Sequence, residues 1–148
     1  MCPNHPAYRA ISHVPWRDPV IIRPLHMDLC RQDGRGPELL RVHYDGRGVR
    51  PVAIDYADKD GGGVRHVLLR KAQVFKFTPE EVDGDTLIRW SETKGAAIVC
   101  LGRSLWLRSF NPLHLDRCQH FRVMFYDEFL DVVCEGLDVQ PGPYQEPT

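Results

Sequence analysis

The residues with the most chemical potential lie in the run His114-Leu115-Asp116-Arg117-Cys118-Gln119-His120. On an extended strand Cys118 and His120 project to the same side, and Cys2 and His5 could complete the four nitrogen and sulfur ligands that zinc favours. The spacing matches no common zinc finger, and a neutral cysteine beside surface histidines explains the same residues. No metal or other cofactor is therefore assigned. Cys100 or Cys134 could act as a nucleophile with one of the 7 histidines. Both fall in strands expected to be buried, where a thiol is usually inert. Gly102-Arg103-Ser104 lacks the second glycine of the serine-hydrolase elbow, which leaves Ser104 as a helix cap. Gly61-Gly62-Gly63 is not followed by Lys-Ser or Lys-Thr, so it makes no phosphate-binding loop. No catalytic residue is assigned, and an enzyme is the weaker expectation.

The other candidate is electrostatic. Asp127, Glu128, Asp131, Glu135 and Asp138 gather in a stretch with no basic residue. Carboxylates so placed can bind a cation, do acid-base work or meet a basic partner surface. Strand parity aims Asp131 and Glu135 at Arg122 and His120, so part of the charge serves cross-strand pairing. Asp127, Glu128, Asp131 and Glu135 are the candidate partner-binding residues. The opposite charge, at Arg31, Arg35, Arg41, Arg47 and Arg50, is diluted by Asp33, Glu38 and Asp45. That falls short of a nucleic-acid footprint.

These groups need elements to hold them. Leu39 to Tyr44 and Val49 to Tyr56, joined by Asp45-Gly46-Arg47-Gly48, read as a hairpin. Val52, Ile54 and Tyr56 share one face of its second strand, and Pro51 marks an edge or a strand start. Val64 to Phe77 reads as a strand with a bulge near Arg70-Lys71. Thr78-Pro79-Glu80-Glu81 has the parts of a capping box and predicts one helical turn. Thr86 to Trp90 and Ala96 to Leu101 predict two strands across the Glu92-Thr93-Lys94-Gly95 turn. Ser104 to Phe110 predicts a short helix with Trp106 and Phe110 on one face. A two-residue turn at Asp127-Glu128 would set Phe125 opposite Leu130, Val123 opposite Val132 and Phe121 opposite Cys134. One face of that hairpin is apolar. On the other, Arg122, Met124 and Tyr126 would meet Val133, Asp131 and Phe129, with Glu135 opposite His120; that face is mixed and could face solvent or form a contact surface.

The whole is expected to be an α+β, mainly β fold: a single-domain curved antiparallel sheet or open barrel of seven or eight strands with one short helix. Trp90, Trp106, Phe121, Val123, Phe125, Leu130 and Val132 are its predicted core. With 148 residues, 43% of them apolar and 26% charged, the chain suits one globular domain over 1–148. Prolines mark irregular ends at 1–19 and 139–148, the second readable as a loose extension or a docking peptide. Charges nearly balance, 19 Lys and Arg against 20 Asp and Glu, so no global field draws the protein to nucleic acid or acidic lipid. No apolar run approaches the ~20 residues of a membrane span, the N-terminus carries no secretory signal, and an odd number of cysteines fits reduced thiols. A cytoplasmic location is expected.

From Ser104-Leu105-Trp106-Leu107 through His120-Phe121-Arg122-Val123-Met124-Phe125-Tyr126-Asp127 to Leu130-Asp131-Val132-Val133-Cys134-Glu135, the C-terminal third resembles small bacterial proteins, some of the toxin-immunity type. The resemblance implies a non-catalytic protein that binds and blocks a partner protein, with no toxin-contact motif to carry over. The expected function is thus protein binding, as an immunity-type inhibitor. The alternatives are a small-molecule-binding or enzymatic β-barrel with a site assembled from distant residues, and zinc binding at Cys2, His5, Cys118 and His120. The sequence leaves the partner's identity and the oligomeric state open.

Overall fold

The computed structural model describes residues 36–46, 51–58, 61–80 and 96–146, and the backbone of 23–26. The described strands form two antiparallel sheets. From edge to edge, the first holds β1 (Arg23–His26), β6 (Ile98–Gly102), β7 (Gln119–Met124), β8 (Glu128–Cys134) and β5 (Val74–Pro79). The second holds β2 (Glu38–His43), β3 (Val52–Ala57), β4 (Val64–Arg70) and β9 (Gly136–Pro141). The mainly β fold expected from the sequence is thus observed, with two sheets and no closed barrel among the described residues.

A shared ribbon joins the sheets. β4 pairs with β9 up to Arg70 opposite Gly136, and β5 pairs with β8 from Val74 opposite Val133. Lys71, Ala72 and Gln73 therefore face only Cys134 and Glu135, one residue too many on one side, which is the condition for a bulge and a sharp bend. Hydrogen bonds from Glu135 N to Arg70 O (2.9 Å) and from Gln73 N to Val133 O (2.8 Å) hold the bend. Lys71 takes it in the left-handed conformation, φ 55°. The bulge read from the sequence is the corner where the fold turns from one sheet to the other.

Between the sheets lies the main core. Val52, Ile54, Tyr56, Val67 and Leu69 from the second sheet meet Ile98, Cys100, Phe121, Val123, Leu130, Val132 and Cys134 from the first, with Phe125 beside them. Of the predicted core, Phe121, Val123, Phe125, Leu130 and Val132 are buried, Trp106 is half-buried, and Trp90 lies outside the described residues. The β2–β3 hairpin forms as expected, Leu39 opposite Tyr56 and His43 opposite Ala53. Pro51 directly precedes β3.

The last hairpin pairs Phe121 with Val132 and Val123 with Leu130, two residues away from the predicted register. Phe125 N donates to Glu128 O at 2.8 Å, so Tyr126-Asp127 makes the turn instead of Asp127-Glu128. A shift of two preserves every face, because side chains alternate with period two. The middle of the mixed face, however, is interior: His120, Arg122, Met124, Phe129, Asp131 and Val133 are buried, while Tyr126 is half-buried and Glu135 exposed at its ends. Leu107 of the helix α1 (Leu105–Arg108), with Trp106, Phe110, Leu115 and Cys118, packs there against Val133, and the exposed 3-10 turn at Pro112–His114 links them. Trp106 and Phe110 do share a face, ring centroids 5.4 Å apart.

Two expectations need correction. Thr78 and Pro79 end β5, paired with Phe129 and Glu128, because edge pairing to β8 satisfies the chain at Pro79, where no amide is needed; helical backbone starts after them, at Glu80, and the rest of the expected turn lies outside the described residues. The C-terminal irregular end begins later than 139: Val139 to Pro141 belong to β9, and Tyr144 is tied to the sheet. The predicted strand Thr86 to Trp90, its turn at 92–95 and the N-terminal end 1–19 lie outside the described residues.

Candidate functional site

Ser104, two residues past the end of β6, caps α1, accepting the Leu107 amide at 3.2 Å. Its Oγ also lies 2.7 Å from His120 Nδ1 on β7. His120 Nε2 in turn donates to Asp131 Oδ1 on β8 at 2.7 Å. Arg122, directly opposite Asp131, adds a bidentate pair, Nε to Oδ1 at 2.9 Å and Nη2 to Oδ2 at 3.0 Å. Trp106 leans on the His120 ring with centroids 4.8 Å apart, and the Lys76 ammonium lies over the Trp106 ring, 4.8 Å from its centroid. Three distant residues thus assemble a Ser-His-Asp chain that no local sequence pattern announces.

Its geometry serves structure. Ser104, His120 and Asp131 are each no more than 1% exposed, so no substrate reaches the hydroxyl. Both imidazole nitrogens are occupied, which also removes His120 from any zinc site. Burial acts to raise the Asp131 pKa, but hydrogen bonds from His120 and Arg122 and their charges outweigh it and hold the carboxyl below its ordinary range. The acidic residue singled out on the sequence as a contact group is therefore an internal counter-ion.

The thiols fare similarly. Cys100 donates to Gln119 Oε1 at 3.0 Å, and Cys118 is buried against Leu107, Leu115 and Val133. Burial pushes the Cys134 thiol up to about 12 and raises Cys118 as well. Cys2 and His5 lie outside the described residues, among which no cluster of three or more His, Cys, Asp or Glu is arranged to hold a metal.

The four candidate contact residues are not brought together. Asp127 and Glu128 sit at the hairpin tip, whereas Glu135 follows the far end of β8, roughly 20 Å away at about 3.3 Å per residue. Asp138 is paired with Arg70 at 3.1 Å.

Among the described residues, two accessible features stand out. The first is β2, the edge of its sheet among the described strands: Leu40 and Val42 on it and Tyr44 just after it are 48%, 37% and 62% exposed. A register break between Leu39 and Arg41 guards its first half against uncontrolled pairing. The second is a cavity of about 650 Å³ at the sheet corner. β3 starts at Val52 and does not follow β4 around the bend, so a notch opens between β3 and β5. Its walls include Tyr44, Val52, Leu69, Lys71, Phe75 and Glu135. Tyr44 closes one side, edge-on to Phe75 at 5.2 Å. Sequence reasoning missed both, since exposure and the notch follow from which strands end where. No helix among the described residues is long and apolar enough to cross a membrane. Compared with protein-family models, curated proteins and solved structures, the chain matches none.

Proposed function

We propose that this chain acts by binding a partner protein, along the edge of its second sheet and not through the acidic hairpin. The observation that carries the reading is the exposure of Leu40, Val42 and Tyr44 within five residues along and just past β2, an edge among the described strands. An extended segment of a partner added beside β2 would take main-chain hydrogen bonds from the open edge and cover these side chains. The resemblance of the C-terminal third to toxin-immunity proteins gives the partner a class, an enzyme blocked by being bound. The cytoplasm suits such a protein, with Cys100, Cys118 and Cys134 as free, buried thiols.

The test is capture from host lysate, with a photo-crosslinking residue at position 42 and two variant sets. Leu40→Lys with Val42→Lys should abolish capture and crosslinking without unfolding the protein, since both positions are exposed. Asp127→Asn with Glu135→Gln should leave capture intact. The reverse pattern would move the binding surface to the acidic residues, and a protein that crosslinks to nothing at position 42 would sink the reading.

A further inference from the structure

We propose that the notch at the sheet corner binds a small apolar zwitterion, a free amino acid with a branched aliphatic or aromatic side chain. A volume of about 650 Å³ lies within the range of small-molecule sites. The floor is apolar: Val52 and Leu69 are buried, and Ala72 and Phe75 half-buried. The rim is exposed and charged, carrying Arg70, Lys71 and Glu135. Asp138 already balances Arg70 at 3.1 Å. Lys71 and Glu135 have no ion-pair partner among the described residues, so the rim offers one separate cation and one separate anion. Its net charge is zero, which gives no preference for a plain anion or cation. A ligand with both charges complements it, its carboxylate at Lys71, its ammonium at Glu135 and its side chain against Val52, Leu69 and Phe75.

The backbone supplies a second, independent observation. Lys71 holds φ 55°, a conformation that glycine adopts without penalty and that a lysine adopts against steric resistance. Glycine would turn this corner at lower cost. What lysine adds at the position is an ammonium group at the mouth of the notch, and sparsely populated backbone conformations gather at ligand sites.

Calorimetric titration of the whole chain tests this with L-leucine and L-phenylalanine, their N-acetyl forms, their amides and the doubly blocked N-acetyl amides. Saturable one-to-one binding of a free amino acid is expected, weakened about tenfold or more by blocking either end. Lys71→Gly should erase the preference for a free carboxylate while leaving Tm unchanged or raised, a pairing of effects that a purely structural lysine would not give. Lys71→Gln should erase the same preference without altering the backbone requirement, and Glu135→Gln should erase the preference for a free ammonium. Equal binding of the doubly blocked forms would overturn the charge assignment. Absence of heat with every compound at millimolar concentration would overturn the site.

Discussion

Asp131 shows how much one buried charge can organise. Its carboxylate is the meeting point of β7, β8 and, through His120 and Ser104, of α1. Removing one partner of such a group leaves the other charge buried and unpaired, so Asp131→Ala should cost about 3–5 kcal/mol in urea unfolding. The pH dependence has a definite sign. Because folding lowers this pKa, the stabilisation is complete above the unfolded carboxyl value near 4 and is lost as pH falls toward the folded value. Unfolding curves between pH 7 and pH 3 should therefore steepen at the acid end for the wild type, and Asp131→Asn should flatten that slope. A second residue-scale expectation concerns Cys134, whose thiol burial pushes up to about 12. Thiol titration of the native protein with a disulfide reagent should leave Cys134 unmodified at pH 8, with modification appearing only on unfolding. A rapidly reacting native Cys134 would contradict the burial.

At the scale of elements, two short pieces of chain decide how the strands meet. Gly36 lies so close to the Met124 carbonyl oxygen that a Cβ would overlap it, and the next residue accepts the Tyr126 amide at 2.8 Å. The approach to β2 is thus docked on the β7–β8 hairpin. Gly36→Ala must push the segments apart, and a loss of about 1–3 kcal/mol is expected in denaturant unfolding. The β7–β8 hairpin illustrates what a sequence pattern does specify. Alternation of Phe121, Val123 and Phe125 with His120, Arg122 and Met124 fixes the two faces, and an even register shift left them intact. Turn chemistry did not fix the register, since Asp-Glu has no strong preference for a two-residue turn.

Over the whole molecule, the C-terminal segment closes the outer face of the second sheet. Tyr144 N donates to Asp55 at 2.8 Å, and His43 Nε2 donates to the other oxygen of the same carboxylate at 2.9 Å. His66 Nδ1 donates to Gly142 O at 2.8 Å, and the Tyr144 ring stands edge-on to both His43 and His66. Asp55 is buried beneath this strap. Truncation after Pro141 removes a hydrogen bond to a buried carboxylate and should cost about 1–3 kcal/mol. Tyr144→Phe should be neutral or slightly stabilising, because the Tyr144 hydroxyl is buried without a partner among the described residues. Equal destabilisation by both changes would show that the hydroxyl is engaged.

Local physics made several features legible in the sequence. The period-two pattern marked β3, β7 and β8, Ser104 marked the start of α1, and the mismatch of periods around Arg70-Lys71 marked the bend. Each depends on neighbours a few residues apart. Everything concerning exposure was decided by tertiary structure. Asp131 looks like surface charge until α1 and the residues up to Cys118 cover its face. Ser104, His120 and Asp131 become a connected chain only when β6, β7 and β8 lie side by side. The corner notch exists because β3 stops where β4 bends. Solvent access and through-space pairing depend on which faces meet, and a half-buried pattern on one strand does not specify what is packed on its other side.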